Sequence, residues 1–512
     1  MKMMRRMGWA GAVLLACSVQ VQAAVRMPKI FGNGMVLQQQ AVVPVWGWAA
    51  PGERVTVAFA GQSKETVTKA DGTWSLKLDA LQASAEPARL EVRGANTLTF
   101  TDVVVGEVWF CSGQSNMQWS MRAVDDAEKE MAAANLPLIR HFKAPQRISG
   151  LPLDDVQAVW EKTTPGGIGD ESAVAFLFGR RLHQALNVPV GLINCSWGGT
   201  RIEPWTPLCG FEGIPALEGI LRDVRKRMEQ INPGSAAYKA VHQAYFTRLQ
   251  QWIAEGGKRL AADQAVTAMP EYPSVFTFRN QEPTVLFNGM VAGLVPYAIR
   301  GAIWYQGCSN NGEGMLYLEK TKALVKGWRQ VWGQGDFPYY LVQLAPYTYG
   351  GNPENLPGIW EAQAAVPAAI PNTGYTVIND IGNIRDIHPR NKQDVGLRLA
   401  NQALNRTYGR SEIAWAGPVY RSFTVEGQTL RVTFDHAEGL KTRDGQPPTW
   451  FEVCGEDGRF VKADAKIDGA SVILSSPSVS TPKAMRFAWN QIAEPNLVNG
   501  IGLPAGAFRC GK

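Results

Sequence analysis

Between about residues 102 and 410, short apolar runs alternate with longer stretches that repeat every 3.6 residues. The short runs fall at 105–110, 136–142, 188–195, 301–305, 339–344 and 375–378. Most are apolar throughout rather than at every second position, so both faces of each strand need cover. A parallel sheet with helices on both faces meets that need. Helical stretches at 173–186, 317–332 and 391–408 supply the cover. Leu324, Trp328 and Trp332 share one face of the second, and Val395, Leu399 and Ala403 one face of the third. A further helical stretch is expected over 116–134. Two amphipathic stretches near 217–231 and 236–253, parted by Asn232-Pro233-Gly234, read as a helical insertion spanning about 207–273.

The flanks are β in pattern. Over 24–101, Val55, Val57 and Phe59 alternate with polar residues, as do Trp74, Leu76 and Leu78, with Asp71-Gly72 as a turn. Over 411–512, Leu430, Val432 and Phe434 alternate, Phe451 and Val453 follow, and Asp457-Gly458 turns. Each flank is expected to form a sandwich-like module. Residues 1–23 read as an export signal: Lys2, Arg5 and Arg6 lead an apolar core at 9–16, and 21–23 is a small-residue cleavage site. This places the protein outside the cytoplasm, secreted or periplasmic. Lipid attachment at Cys17 is the weaker alternative. No later segment is apolar enough to span a bilayer. The net charge of +6 is dispersed, without the basic stripe a nucleic-acid partner needs. The seven cysteines match no zinc spacing, and neither a metal nor another cofactor is expected.

Four loops follow strands of the α/β region, where the carboxyl ends of a parallel sheet form a ligand crevice. They carry Ser115, Gly198, Asn310 and His388. Ser115 sits where a strand turns into a helix; that suits an exposed nucleophile near unpaired N–H groups, and it also suits an ordinary helix cap. Five histidines exist. His183 lies in a helical pattern, His242 in the insertion and His436 in the C-terminal β region. His141 ends a strand and is the one rival to His388, which has Asp386 two residues before it and Pro389 after it. The candidate catalytic set is therefore Ser115 as nucleophile, His388 as base and Asp386 as its orienting group. The N–H groups of Ser115 and Gly198 and the side chain of Asn310 are the candidate oxyanion donors.

These blocks resemble the SGNH hydrolases, and more closely their sialate O-acetylesterase branch. The matching residues are 106–109, 113–117 (Gly-Gln-Ser-Asn-Met), Trp197 to Thr200 with Glu203 and Trp205, Trp304 to Gly307, and 386–389 (Asp-Ile-His-Pro) with Lys392-Gln393. The resemblance implies a flavodoxin-like sheet, the same catalytic assignments, and removal of O-acetyl groups from sialic acids. Gln114 and Gln306, in the matched motifs, are expected to bind substrate. Arg201 is a candidate partner for a sialic acid carboxylate. Two departures stand out. Cys308 occupies a position where that branch usually has Glu. The superfamily's Asp, three residues before the His, is here Arg385, so Asp386, Asp380 or a main-chain carbonyl must orient the imidazole.

The partner expected is a small molecule or glycan carrying O-acetyl groups. Acetylated xylan or pectin is the alternative substrate, suggested by Cys308 and the insertion. A carbohydrate-binding protein with an inert core is the third reading.

Overall fold

The computed structural model describes residues 24–511, so the expected export signal and Cys17 lie outside the described residues. The N-terminal strands are β1 (Val36–Gln38), β2 (Val43–Trp48), β3 (Arg54–Phe59), β4 (Gln62–Val67), β5 (Thr73–Leu78) and β6 (Ser84–Arg93). β2 and β5 pair with each other; β3, β4 and β6 pair antiparallel in turn. The next strand, β7 (Thr97–Gly113), pairs with β6 and β1 along its first part and enters the central sheet with its second. It runs unbroken through the boundary expected near residue 101, bending at Asp102, whose φ is 57°.

Beyond β7 the central sheet takes in β8 (Leu136–Lys143), β9 (Trp160–Thr163), β10 (Val190–Ser196), β11 (Gly301–Tyr305), β12 (Tyr339–Val342) and β13 (Thr373–Thr376). Their order is β13-β12-β11-β7-β10-β8-β9, parallel except for the antiparallel edge strand β9. β10 and β11 are buried along their whole length, as their continuous apolar runs require. Helices Ala173–Leu186 and Lys392–Arg406 pack together so closely that a Cβ at Gly396 would meet the Leu177 side chain. Residues 419–510 form antiparallel sheets, chiefly Val419–Glu426, Thr429–Asp435, Ser471–Ser475 and Asp464–Asp468 in one, and Phe451–Cys454, Ala484–Phe487 and Phe508–Cys510 in another. The insertion carries helices Glu218–Ile231 and Ala236–Ala261. No helix among the described residues is long and apolar enough to cross a membrane.

Register positions the site. Ser196 of β10 and Tyr305 of β11 are both partners of Gly113 in β7, so three neighbouring strands stop at one level. The loops that follow are stitched together: Gln114 N–H donates to the Tyr305 carbonyl at 3.0 Å, and Trp197 N–H to the Gly113 carbonyl at 3.1 Å. The approach leaves no room at Gly113, where a Cβ would stand 2.3 Å from the Tyr305 oxygen and where φ is +147°.

The helix expected over 116–134 is the one clear departure. Only Ser115–Gln118 and Ala127–Ala132 are α-helical, with a 3₁₀ turn at Met121–Ala123 between them. The first helix stops because other partners claim its backbone: the Trp119 carbonyl accepts from Ala173 N–H at 2.8 Å, and the Met117 carbonyl from Ser172 Oγ at 2.6 Å. Composition alone favoured a helix, and tertiary hydrogen bonds overrode it.

Gly113→Ala is expected to destabilise the protein by about 1–3 kcal/mol or more, through overpacking and backbone strain. Urea unfolding followed by far-UV circular dichroism measures this; an unchanged midpoint would contradict the stitched-loop description.

Candidate active site

Ser115 Oγ lies 2.8 Å from His388 Nε2, although the two residues are 273 positions apart. β7 delivers the serine at its carboxyl end. The histidine comes from the loop between β13 and the Lys392–Arg406 helix. That loop and the first turn of the helix behind it are tied to the serine segment at further points. Asn116 Nδ2 donates to the Ile387 carbonyl at 2.9 Å, Asp125 N–H to the Arg390 carbonyl at 3.2 Å, and Gln393 Nε2 to the Asp125 carbonyl at 2.6 Å. An imidazole so placed can take the hydroxyl proton as the oxygen attacks.

Asp386 does not hydrogen-bond the ring. Its Oδ1 accepts the backbone N–H of His388 at 2.9 Å, an Asx-type turn, and stands 3.9 Å from Nδ1. Its influence on the imidazole is thus through charge. Asp380 is held elsewhere, with each carboxylate oxygen 2.7 Å from the Arg398 guanidinium. What orients the ring is Trp119, stacked on it with centroids 4.8 Å apart and planes 18° apart. The indole is pinned in turn by its Nε1–H, which donates to the Ala123 carbonyl at 3.0 Å. Burial, and then the charge of Lys392, hold His388 below the usual imidazole range, against the opposing pull of Asp386.

Among the oxyanion candidates, Ser115 N–H has no acceptor among the described residues. Gly198 lies against the serine: a Cβ there would stand 3.2 Å from Ser115 Cβ. Its N–H donates to Oε1 of the exposed Gln118 at 2.8 Å, so a ligand oxygen would have to displace that side chain. Asn310 is different. It is fully buried, and its Nδ2 donates to Glu203 and Glu313, each at 3.1 Å, which leaves no N–H for an oxyanion. Gln306 is also fully buried, with Nε2 given to Thr200 and Asn310 and Oε1 accepting from Tyr317. It braces the crevice floor and has no free group for a substrate. Gln114 Oε1 accepts Gly307 N–H at 3.2 Å, another stitch between loops.

Arg201 is bound to Glu203 and Glu313. Lys320 Nζ sits between the same carboxylates at 2.6 and 2.7 Å, so two cations balance two anions. Burial pushes Glu203 up, but Lys320, a backbone N–H and the Asn310 amide together hold the carboxyl below its usual range. Cys308 is half-buried, and its thiol is pushed up by burial, against the Tyr349 hydrogen bond and the charge of Lys392. It therefore adds no negative charge where a glutamate would. The rival His141 is buried at Thr163 Oγ1, 2.8 Å away, and is driven down to about 3 by burial and Lys143.

Residues 105–241 match the family described as "Carbohydrate esterase, sialic acid-specific acetylesterase". The chain is 30% identical to sialate O-acetylesterase of Mus musculus, covering 91% of this chain and 89% of that one. It is 28% identical to sialate O-acetylesterase of Homo sapiens, covering 91% and 87%. The chain belongs to the sialate O-acetylesterase family. A solved structure of a carbohydrate acetylesterase from Xanthomonas citri superposes with a TM-score of 0.79 at 31% identity, over 96% of this chain and all of that one. This esterase is accordingly a carboxylic ester hydrolase, a carbohydrate O-acetylesterase.

Sequence reasoning gave no role to Trp119, Glu313, Lys320 or Lys392 of the esterase. Two of these left a signal. Lys320 precedes Leu324, Trp328 and Trp332 at four-residue spacing, and Lys392 precedes Val395 and Leu399 at spacings of three and seven. A lysine on an apolar stripe must find a buried partner. Trp119 left none, because its helix was read as continuing.

With His388 as base, the acidic limb of kcat/KM is expected below the pKa of a free imidazole. The ring must be neutral to accept a proton, and burial and Lys392 both disfavour its cation. A pH–rate profile on an acetyl ester measures it; a limb above the free-imidazole value would contradict the arrangement.

Proposed function

We propose that this esterase, exported by residues 1–23, hydrolyses O-acetyl esters of sialic acids through an acetyl-enzyme on Ser115. The contact of 2.8 Å between Ser115 Oγ and His388 Nε2 carries this reading. His388 takes the proton as Ser115 Oγ attacks the acetyl carbonyl. The oxyanion then meets the N–H groups of Ser115 and Gly198, once Gln118 swings aside. His388 passes its proton to the departing sugar hydroxyl, and Asp386 stabilises the transient imidazolium by charge. Water, deprotonated by His388, releases acetate. With the edge strand β9 and its neighbour β8 set aside, β10, β7, β11, β12 and β13 stand in a 2-1-3-4-5 order, which supports the flavodoxin-like SGNH reading.

A second reading, acetylated xylan or pectin as substrate, is favoured by one observation. Arg201 is spent on Glu203 and Glu313, so the cation expected to meet a sialic acid carboxylate is already neutralised. The reading as an inert binding protein is disfavoured by the serine–histidine contact.

Ser115→Ala is expected to lower kcat for acetate release from 9-O-acetylated sialic acid by about 10⁴-fold or more while the fold is kept. Undiminished turnover would reject Ser115 as nucleophile. Ranking kcat/KM for acetylated sialosides against acetylated xylan separates the two substrates. A preference of 10-fold or more for xylan would move the assignment to the second reading.

A further inference from the structure

Lys392 is fully buried at the head of its helix, where a charged side chain is costly unless it is paired. Its Nζ donates to Asn116 Oδ1 at 2.6 Å. The same amide donates from Nδ2 to the Ile387 carbonyl at 2.9 Å. One asparagine thus joins the residue after Ser115 to the residue before His388, and the ammonium holds its other end. Nζ also lies 5.8 Å from the Trp119 ring centroid, and that ring stacks on His388. It lies 5.4 Å from the Tyr305 ring at the end of β11. The ammonium thus meets the serine segment at Asn116 and Trp119 and the end of the neighbouring strand at Tyr305, and it reaches the histidine loop through the Asn116 amide.

We propose that Lys392 is a positioning residue for the reacting pair, its buried ammonium locking the serine turn against the histidine loop through Asn116. The proposal rests on the reading of Ser115 as nucleophile and His388 as base. Two effects follow. The bridge fixes the distance across which the proton moves, and misplacement on the scale of 1 Å costs about 10²-fold in rate. The charge also disfavours the imidazolium and keeps His388 ready to accept a proton at lower pH. The titratable groups facing the ammonium are Tyr305, which burial keeps protonated, Cys308, Asp386 and His388. Of these, Asp386 opposes the effect of Lys392 on the ring, and Cys308 stays protonated. Burial holds Lys392 itself down to about 7, so its charge is partial at neutral pH and full on the acidic side, where the histidine limb lies.

The test uses full-length enzyme with p-nitrophenyl acetate. Lys392→Met is expected to lower kcat by about 10²-fold with KM little changed. The acidic limb of its kcat/KM profile moves to higher pH. A filler role would instead lower activity equally at every pH or not at all, and either result overturns the proposal. Lys392→Gln keeps a donor for Asn116 and drops the charge. It should move the limb in the same direction even if Lys392→Met does not fold, and an unmoved limb in Lys392→Gln is equally fatal. Labelling of the wild-type enzyme by a fluorophosphonate, lost in Ser115→Ala, tests the underlying reading separately. An unlabelled wild type sinks that reading, whereas a labelled, active wild type with indifferent Lys392 variants sinks only the role of Lys392.

Discussion

Parallel strands β10, β7 and β11 share one register, in which Ser196, Gly113 and Tyr305 stand level, and the chemistry depends on that alignment. Because side chains alternate along a strand, a slip of one residue would turn the side chains of β7 to the opposite face and carry Ser115 out of level with the loops beside it. Backbone hydrogen bonds between the ends of β7, β10 and β11 prevent the slip, and the glycine at 113 lets them form. His388 has no such strand beneath it. Its place is set by bonds from the serine segment to the Ile387 and Arg390 carbonyls, so Ser115 and His388 are located by the same short stretch of chain.

Two buried lysines bear on this site in contrasting ways. Lys320 is matched by two carboxylates, which share Arg201 as a second cation, and the cluster closes on itself. Lys392 donates to the amide oxygen of Asn116 and meets the faces of two aromatic rings, and Asp386 acts on it through charge alone. Desolvation is therefore better compensated at the first than at the second, and at Lys392 burial holds the pKa down. A group left under-compensated beside a reacting pair is where electrostatic tuning of catalysis is usually found.

The sheet was legible because it is written in composition: apolar runs at 301–305 and 188–195 can be little else, and helix 173–186 appears over the residues expected. Ser115 and His388 were legible because their loops follow strands and their motifs are specific. The remainder of the site depends on which way side chains face, and no periodicity encodes that. Asp386 lies one position nearer the histidine than the superfamily's Asp and turns its oxygen to a backbone N–H. Asn310 and Gln306 stand in matched motifs, yet both are fully buried and spend their amides on neighbours. Trp119 was hidden because a helix judged by composition ends at hydrogen bonds from residues more than 50 positions away.

β7 has a consequence for how the molecule can be taken apart. The same 17-residue strand that anchors the N-terminal β region ends two residues before Ser115. Deleting that region would strip pairing partners from the strand that presents Ser115, and the exposed edge would invite self-association. The hydrolase therefore depends on its leading fifth, and unfolding that begins at the N-terminal edge has a continuous route to the Ser115 turn.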